Sequence, residues 1–343
     1  MNMTTQRNVY IDPPYTAYYQ DRLFDITNPV LNRDGSLEAF ARFHGALRDQ
    51  GAVLHTADYL LEGKAGDDAC EYYSLGILKN YPQLLAQKHV RLRGFYIMEP
   101  PAVAPQLYRA LPELTRCFEK VYLHNTVGDG YSLKGVDQSK LCKFYWPQPY
   151  ASVLDCWQQN DRMNRIVVIN GNHIPRSLKK QLYGKRIEAM AALAGVGVVD
   201  LYGRGWEKWW SHRSMWPPYW FNYRTLMSIY KGSCESKYEV LSRYRFSLCF
   251  ENMAMEGYVT EKIFDCLYAG TIPLYLGAPD IDQLVPETTY IDCRRFSSWE
   301  EMWRVVANIP DSEIQVMRLA GKAFIEGEGG LKYYNSLLAM VEP

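Results

Sequence analysis

The sequence contains no apolar run close to the roughly 18 residues that a membrane-spanning helix requires, and its start, MNMTTQRNVYIDPP, has no apolar core of a secretory signal. It carries no net charge either. Lys plus Arg and Asp plus Glu stand at 38 each, so no global field draws the chain to nucleic acid or to an anionic membrane. The eight cysteines are scattered, without a CxxC or a close His/Cys pairing, which argues against a zinc site and a disulfide framework. Several of them, such as Cys249 and Cys266, fall in apolar periodic segments and read as buried free thiols in a reducing compartment. Gly203-Arg204-Gly205 lacks the third glycine of a dinucleotide fingerprint and has Lys208 in its place. These absences leave a neutral globular protein, expected in the cytoplasm or peripherally at the inner face of a membrane. At 343 residues it has length for two α/β domains.

What is present is concentrated between Arg243 and Pro279, RYRFSLCFENMAMEGYVTEKIFDCLYAGTIPLYLGAP. Phe246–Phe250 is an apolar run of buried-strand length, and Thr271–Leu276 is a second one. Between them Thr260 is placed as an N-cap, Glu261–Ala269 as a helix and Gly270 as the residue past its end. The reading is one βαβ unit with parallel strands. Glu251, Asn252, Tyr258, Glu261 and Lys262 collect at the carboxyl end of a strand and the start of the next helix, where open parallel sheets bind ligands. Free N–H groups, the helix dipole and Lys262 suit a phosphate, and the two glutamates suit ribose or sugar hydroxyls. The residues thus point to an anionic, hydroxylated ligand such as a sugar nucleotide. Taken singly, Glu261 and Lys262 read equally well as first-turn surface charges.

The flanking chain alternates strands and helices. Ser36 caps a helix with Leu37, Phe40, Phe43 and Leu47 on one stripe, closed by Gly51. Strands are expected at Ala52–His55, Glu71–Leu75 and Val90–Met98, with a helical stretch over Pro82–Lys88 between the last two. Residues 1–33 show no period. Glu99 ends the Val90 strand and is held extended by Pro100 and Pro101; as it stands it is a solvated strand-end charge or a carboxylate facing a cleft. His124, after the Val121–Leu123 strand, is an acceptor contact or a structural histidine. Pro147–Met163 reads as a linker, giving domains over residues 1–160 and 161–343. Arg165–Ile169 opens the second domain, a helix containing Ile187, Met190 and Leu193 follows, and Arg186 lies in that helix's first turn. Trp206–Tyr223 holds eight Trp, Tyr or Phe residues and reads as an acceptor platform, a membrane-interface patch, an oligomer contact or a self-packed loop. Asp280-Ile281-Asp282 imitates a metal-binding D-x-D but follows a strand–Gly–Pro turn, and it is set aside as a decoy. Ser298-x-x-Glu301 is a capping box.

The stretch FENMAMEGYVTEKIFD…GTIPLYLGAP closely resembles the signature of the α1,3/4-fucosyltransferase family, and the likeness extends from about Arg165 to Ile325. The resemblance implies an α/β chain of two Rossmann-like domains facing across a cleft, the GT-B arrangement, in a bacterial-type soluble member. It also implies inverting transfer of fucose from GDP-fucose to a glycan hydroxyl, with an N-acetylglucosamine-containing acceptor, no nucleic acid and no obligatory metal or other cofactor. Glu99, in YIMEPP, takes the place of the catalytic base, and Glu261 steadies the sugar's developing charge. Arg186, in LYGKRIEAMAAL, clamps the diphosphate together with Lys262 and the helix start at Thr260, with Arg176 as its competitor. Glu251, Asn252 and Tyr258 complete the donor site, and for His124 the acceptor contact and the structural histidine both stay open. Transfer of another GDP-deoxysugar, or a catalytically silent glycan-binding protein on the same fold, is the alternative. The oligomeric state is not legible.

Overall fold

The structure is a computed structural model that describes residues 6–66, 68–210 and 216–340. The chain divides into two compact units, one of residues 1–150 and 332–343, the other of 151–331. The sequence reading put the division ten residues later and kept the whole C-terminus in the second domain. That reading treated 147–163 as linker, yet Gln148 and Trp157 are buried, each within its own unit.

In the first unit β1 (Asn8–Asp12), β2 (Val53–Thr56), β3 (Cys70–Ser74), β4 (Val90–Ile97), β5 (Lys120–Leu123) and β6 (Leu141–Lys143) form one sheet in the order β2-β1-β3-β4-β5-β6. Every pairing is parallel. Alternation sends Val9, Ile11, Tyr73 and Tyr96 to one face, under Phe43 and Leu47 of α1 (Glu38–Asp49). Tyr10, Tyr72, Phe95 and Ile97 go to the other. Leu60 of the short α2 (Asp58–Leu61) packs there, as do Leu107 of α3 (Pro105–Arg109) and Leu114 of α4 (Leu111–Cys117). The helical stretch expected over 82–88 is only a 3-10 turn at Tyr81–Leu84.

The second unit runs β7 (Met163–Ile169), α5 (Tyr183–Val196), β8 (Val199–Tyr202), α6 (Pro217–Ile229), α7 (Lys237–Leu241), β9 (Tyr244–Phe250), α8 (Glu261–Ala269), β10 (Ile272–Leu276), β11 (Ile291–Asp292), α9 (Trp299–Val306) and α10 (Asp311–Glu326). Its sheet is parallel in the order β11-β10-β9-β7-β8. A last helix, α11 (Glu328–Tyr334), ends in the C-terminal segment of the first unit. The capping box is present in variant form: Ser298 Oγ accepts from Glu301 N at 3.1 Å, while Glu301 reaches back to Ser297 N at 2.7 Å.

α8 is the element on which this unit turns. Ile263 to Ala269 are all buried, so the helix runs through the core and not over it. Gly270 takes φ +72° and closes it, its N–H bonding to Leu267 O at 3.1 Å. Arg162, itself buried, donates to Ala269 O at 2.7 Å, which puts a cation where the helix dipole is negative. The amino end of α8 is thereby aimed at the carboxyl ends of β7 and β9.

Candidate functional site

In the order β11-β10-β9-β7-β8 the connections reverse direction between β7 and β9, and such a switch point opens a crevice at the carboxyl ends of the two strands. The loop leaving β9 is fixed over that crevice by three backbone anchors. Leu182 N donates to Asn252 O at 3.1 Å, Ala254 N to Lys180 O at 2.8 Å, and Gly257 N to Asp280 Oδ1 at 2.8 Å. The last contact gives the D-x-D imitation a structural task. Among the described residues no group of three His, Cys, Asp or Glu is placed to hold a metal ion.

Glu251 has no exposed surface. It accepts from Thr260 N and from Thr260 Oγ, both at 2.8 Å, and its Oε2 lies 3.3 Å from Lys262 Nζ. Burial pushes its pKa up, and Lys262 with Thr260 offsets part of the rise. Thr260 therefore occupies the N-cap position without acting as the cap. Its hydroxyl is given to Glu251 and makes no cap bond to the first turn of α8. The expected cap fails because a buried carboxylate nearby is the stronger acceptor. The consequence is chemical: first-turn N–H groups keep their partial positive charge beside Lys262.

Lys262 Nζ also lies 3.1 Å from Glu261 Oε1 and 3.0 Å from Thr260 Oγ. Burial raises the Glu261 pKa, but Lys262 and Lys237 more than cancel this, so the group is held below the ordinary glutamate value as an anion. Its Oε2 is a buried atom without a hydrogen-bond partner. Two residues of this site were missed in the sequence. Lys237, first in α7, places Nζ 2.8 Å from Asp265 Oδ1, which also accepts from Tyr238 at 3.2 Å. Burial pushes Asp265 up to about 6, with Lys237 opposing and Glu261 adding to the shift. Lys237, Lys262 and Asp265 line a cavity of about 50 Å³ with Asn170 and Ser247. The available signal was a lone aspartate inside an otherwise apolar helical run, IFDCLYA.

Arg186 arrives at the same place by a different route from the one expected. Its guanidinium is buried beneath the loop, where Nη2 donates to Phe250 O at 2.6 Å and Glu251 O at 3.1 Å. Its Nε is buried without a partner. Arg176 is exposed on the preceding loop. Tyr258 is buried and Asn252 half-buried. Gly203, at φ +143°, lets the turn after β8 pass against Asn170 O, where a Cβ would collide. The Trp206 indole donates to that same carbonyl at 2.6 Å.

In the first unit Glu99 lies half-buried just beyond β4, and its carbonyl accepts from Tyr108 at 3.0 Å. His124 is fully buried, its Nε2 is 2.9 Å from Met98 O, and its ring stacks at 6.0 Å on Trp146. It joins the ends of β4 and β5. The aromatic block 206–223, of which 211–215 lie outside the described residues, splits in two. Trp206, Trp216 and Tyr219 are buried, with Tyr219 donating to Trp206 O, while Trp209, Trp210 and Phe221 are exposed. None of the eight cysteines is joined in a disulfide, and no described helix is long and apolar enough to cross a membrane.

Two doubly wound units, the second with a cationic switch point, have the fold of a GT-B glycosyltransferase. A crystal structure of an alpha1,3-fucosyltransferase superposes with a TM-score of 0.56 at 13% identity, covering 99% of this chain and 90% of that one. Residues 167–318 match glycosyltransferase family 10 (fucosyltransferase), C-terminal part, and this stretch belongs to that family. An alpha-(1,4)-fucosyltransferase of Arabidopsis thaliana is 39% identical over 74 residues, 22% of this chain and 18% of its own length. An alpha-(1,3)-fucosyltransferase of Helicobacter pylori is 40% identical over 67 residues, 20% and 14% of the two chains. The matched stretches thus span less than a fifth of either relative.

Proposed function

We propose that the chain transfers fucose from GDP-fucose to a glycan hydroxyl, N-acetylglucosamine-containing acceptors included, with inversion at the anomeric carbon. The observation that carries this is the amino end of α8 with Lys262 in its first turn and the anionic Glu261 beside it. A diphosphate seats against the N–H groups and Lys262, with Lys237 as a second cation. Glu261 then faces the sugar, whose ring gains positive charge as the bond to the diphosphate breaks. Arg186 supports the site from beneath by holding the Phe250 and Glu251 carbonyls, and Asn252 and Tyr258 shape the donor loop. Glu99 removes the proton of the attacking hydroxyl. Lysines and helix dipole supply the positive charge that stabilises the departing anion, so the reaction as proposed requires no divalent ion, and turnover in excess chelator checks that.

The first test is calorimetric titration with GDP, UDP and NAD, repeated on Lys262→Ala. Selective GDP binding, weakened by about 1.5–3 kcal/mol in the variant as for a charged hydrogen bond, supports the reading. Preference for UDP replaces the donor, and absence of any nucleotide binding moves the chain to a glycan-binding role.

A further inference from the structure

A larger cavity lies elsewhere, within the first unit. It has a volume of about 490 Å³ and is lined by Tyr96, Tyr122, Phe144 and Tyr145 and by Lys143, Lys332 and Ser336. That size falls in the range of roughly 300–1,000 Å³ typical of small-ligand sites. Its walls are the carboxyl halves of β4 to β6 and the C-terminal segment that returns to this unit. Tyr96 and Tyr122 stack face to face at 4.3 Å, and Tyr145 meets Tyr333 edge-on at 5.2 Å. Lys332 Nζ stands 4.1 Å from the centre of the Tyr145 ring, and no carboxylate among the described residues pairs with it. One hydroxyl on the lining, Ser336 Oγ, is buried without a hydrogen-bond partner, and Tyr96 Oη lies beside the Tyr122 hydroxyl.

Aromatic faces, an orphaned hydroxyl and an unneutralised ammonium in one recess match a single chemistry. Apolar faces of a pyranose ring pack on aromatic rings, hydroxyls pair with hydroxyls, and a carboxylate answers the lysine. We infer that this cavity binds an acidic sugar residue of the acceptor glycan, with its carboxylate at Lys332 and its ring against Tyr145. The inference rests on the reading of the chain as a transferase with a glycan acceptor. Tyr96 lies in β4 and Glu99 two residues past its end, so the cavity and the proposed base belong to one stretch of chain, about 10 Å apart along it.

The test is saturation-transfer NMR and calorimetry with para-nitrophenyl β-glucuronide and para-nitrophenyl β-glucoside, on the full chain and on Lys332→Ala and Tyr145→Leu. The glucuronide should bind at least about ten-fold more tightly, as one charged contact implies. Lys332→Ala should erase that preference, and Tyr145→Leu should weaken both sugars alike, with GDP binding intact in each. Equal binding of the two sugars, a preference that survives in Lys332→Ala, or no binding of either overturns the inference. Loss of GDP binding by the unaltered chain instead strikes the donor reading and leaves the sugar result to be judged by itself.

Discussion

The two units share a strand order through their first five strands, so each has a switch point, but they use it in opposite ways. In the first unit that point lies between β1 and β3, and Asp12 stands there without exposed surface. Tyr72 donates to it at 2.6 Å, Asn80 at 2.9 and 3.1 Å, and Tyr19 at 3.3 Å. The crevice is closed by its own hydrogen bonds. In the second unit the equivalent point gathers two lysines, each ion-paired with a neighbouring carboxylate, at the amino end of α8, with Glu261 Oε2 left without a hydrogen-bond partner. Topology offers two sites of equal standing. Charge decides between them: the first point buries a carboxylate whose donors are already in place, whereas the second sets two ammonium groups beside a helix amino end, which favours an anion.

The largest expected effect tests whether chemistry in the first unit sits at the end of β4 and not at its switch point. Glu99→Gln should lower turnover by about 10²–10⁴-fold, the range for a general base, with GDP binding unchanged in calorimetry. Full turnover would remove Glu99 from the reaction. Asp12→Ala should do the reverse. It strands the donors of Tyr72, Asn80 and Tyr19 and should cost about 1–3 kcal/mol in chemical denaturation, with GDP affinity untouched. A change in GDP affinity at full stability would mean that the first switch point binds nucleotide, and the contrast would fail.

The same contrast explains what could be read without coordinates. The bounds of α8 were legible because Thr260 and Gly270 punctuate an apolar run, and the family signature covers the loop before it. β1 was not legible. Asn8–Asp12 has only three apolar residues in line, buried on both faces, within a segment of Tyr, Pro and Asp. Without β1 the first switch point and its aspartate had no location. Lys237 was invisible for another reason. It is distant in sequence from α8 and meets Asp265 only because α7 packs beside that helix. The return of residues 332–343 to the first unit is likewise a packing outcome that no local pattern encodes. Arg186 was placed correctly in the first turn of α5, but its burial under the Phe250–Glu251 carbonyls depends on a loop 64 residues away.

A smaller effect sharpens the open side of the comparison. Lys237→Ala should weaken GDP by about ten-fold if Lys237 meets the diphosphate through a charged hydrogen bond, and unchanged affinity would confine it to its aspartate.

The most delicate prediction concerns Asp265 itself. An ordinary aspartate titrates near 3.8, and burial moves this one to about 6 against the pull of Lys237. Between those values the native chain keeps a proton that the unfolded chain has released. The contribution of Asp265 to stability is therefore greatest at low pH and declines as pH rises from about 4 to about 6. Asp12 and Glu251 are raised as well and act in the same sense, whereas Glu261 is lowered and acts in the opposite one. The overall pH profile cannot isolate Asp265, but its difference from the profile of Asp265→Asn can, since only the Asp265 contribution drops out. Removing Lys237 takes away the charge that lowers the Asp265 pKa, so in Lys237→Ala the carboxyl resonance of Asp265 should titrate above its position in the unaltered chain. Movement the other way would mean that Lys237 does not neutralise Asp265, and that the cation is held in the crevice by other groups.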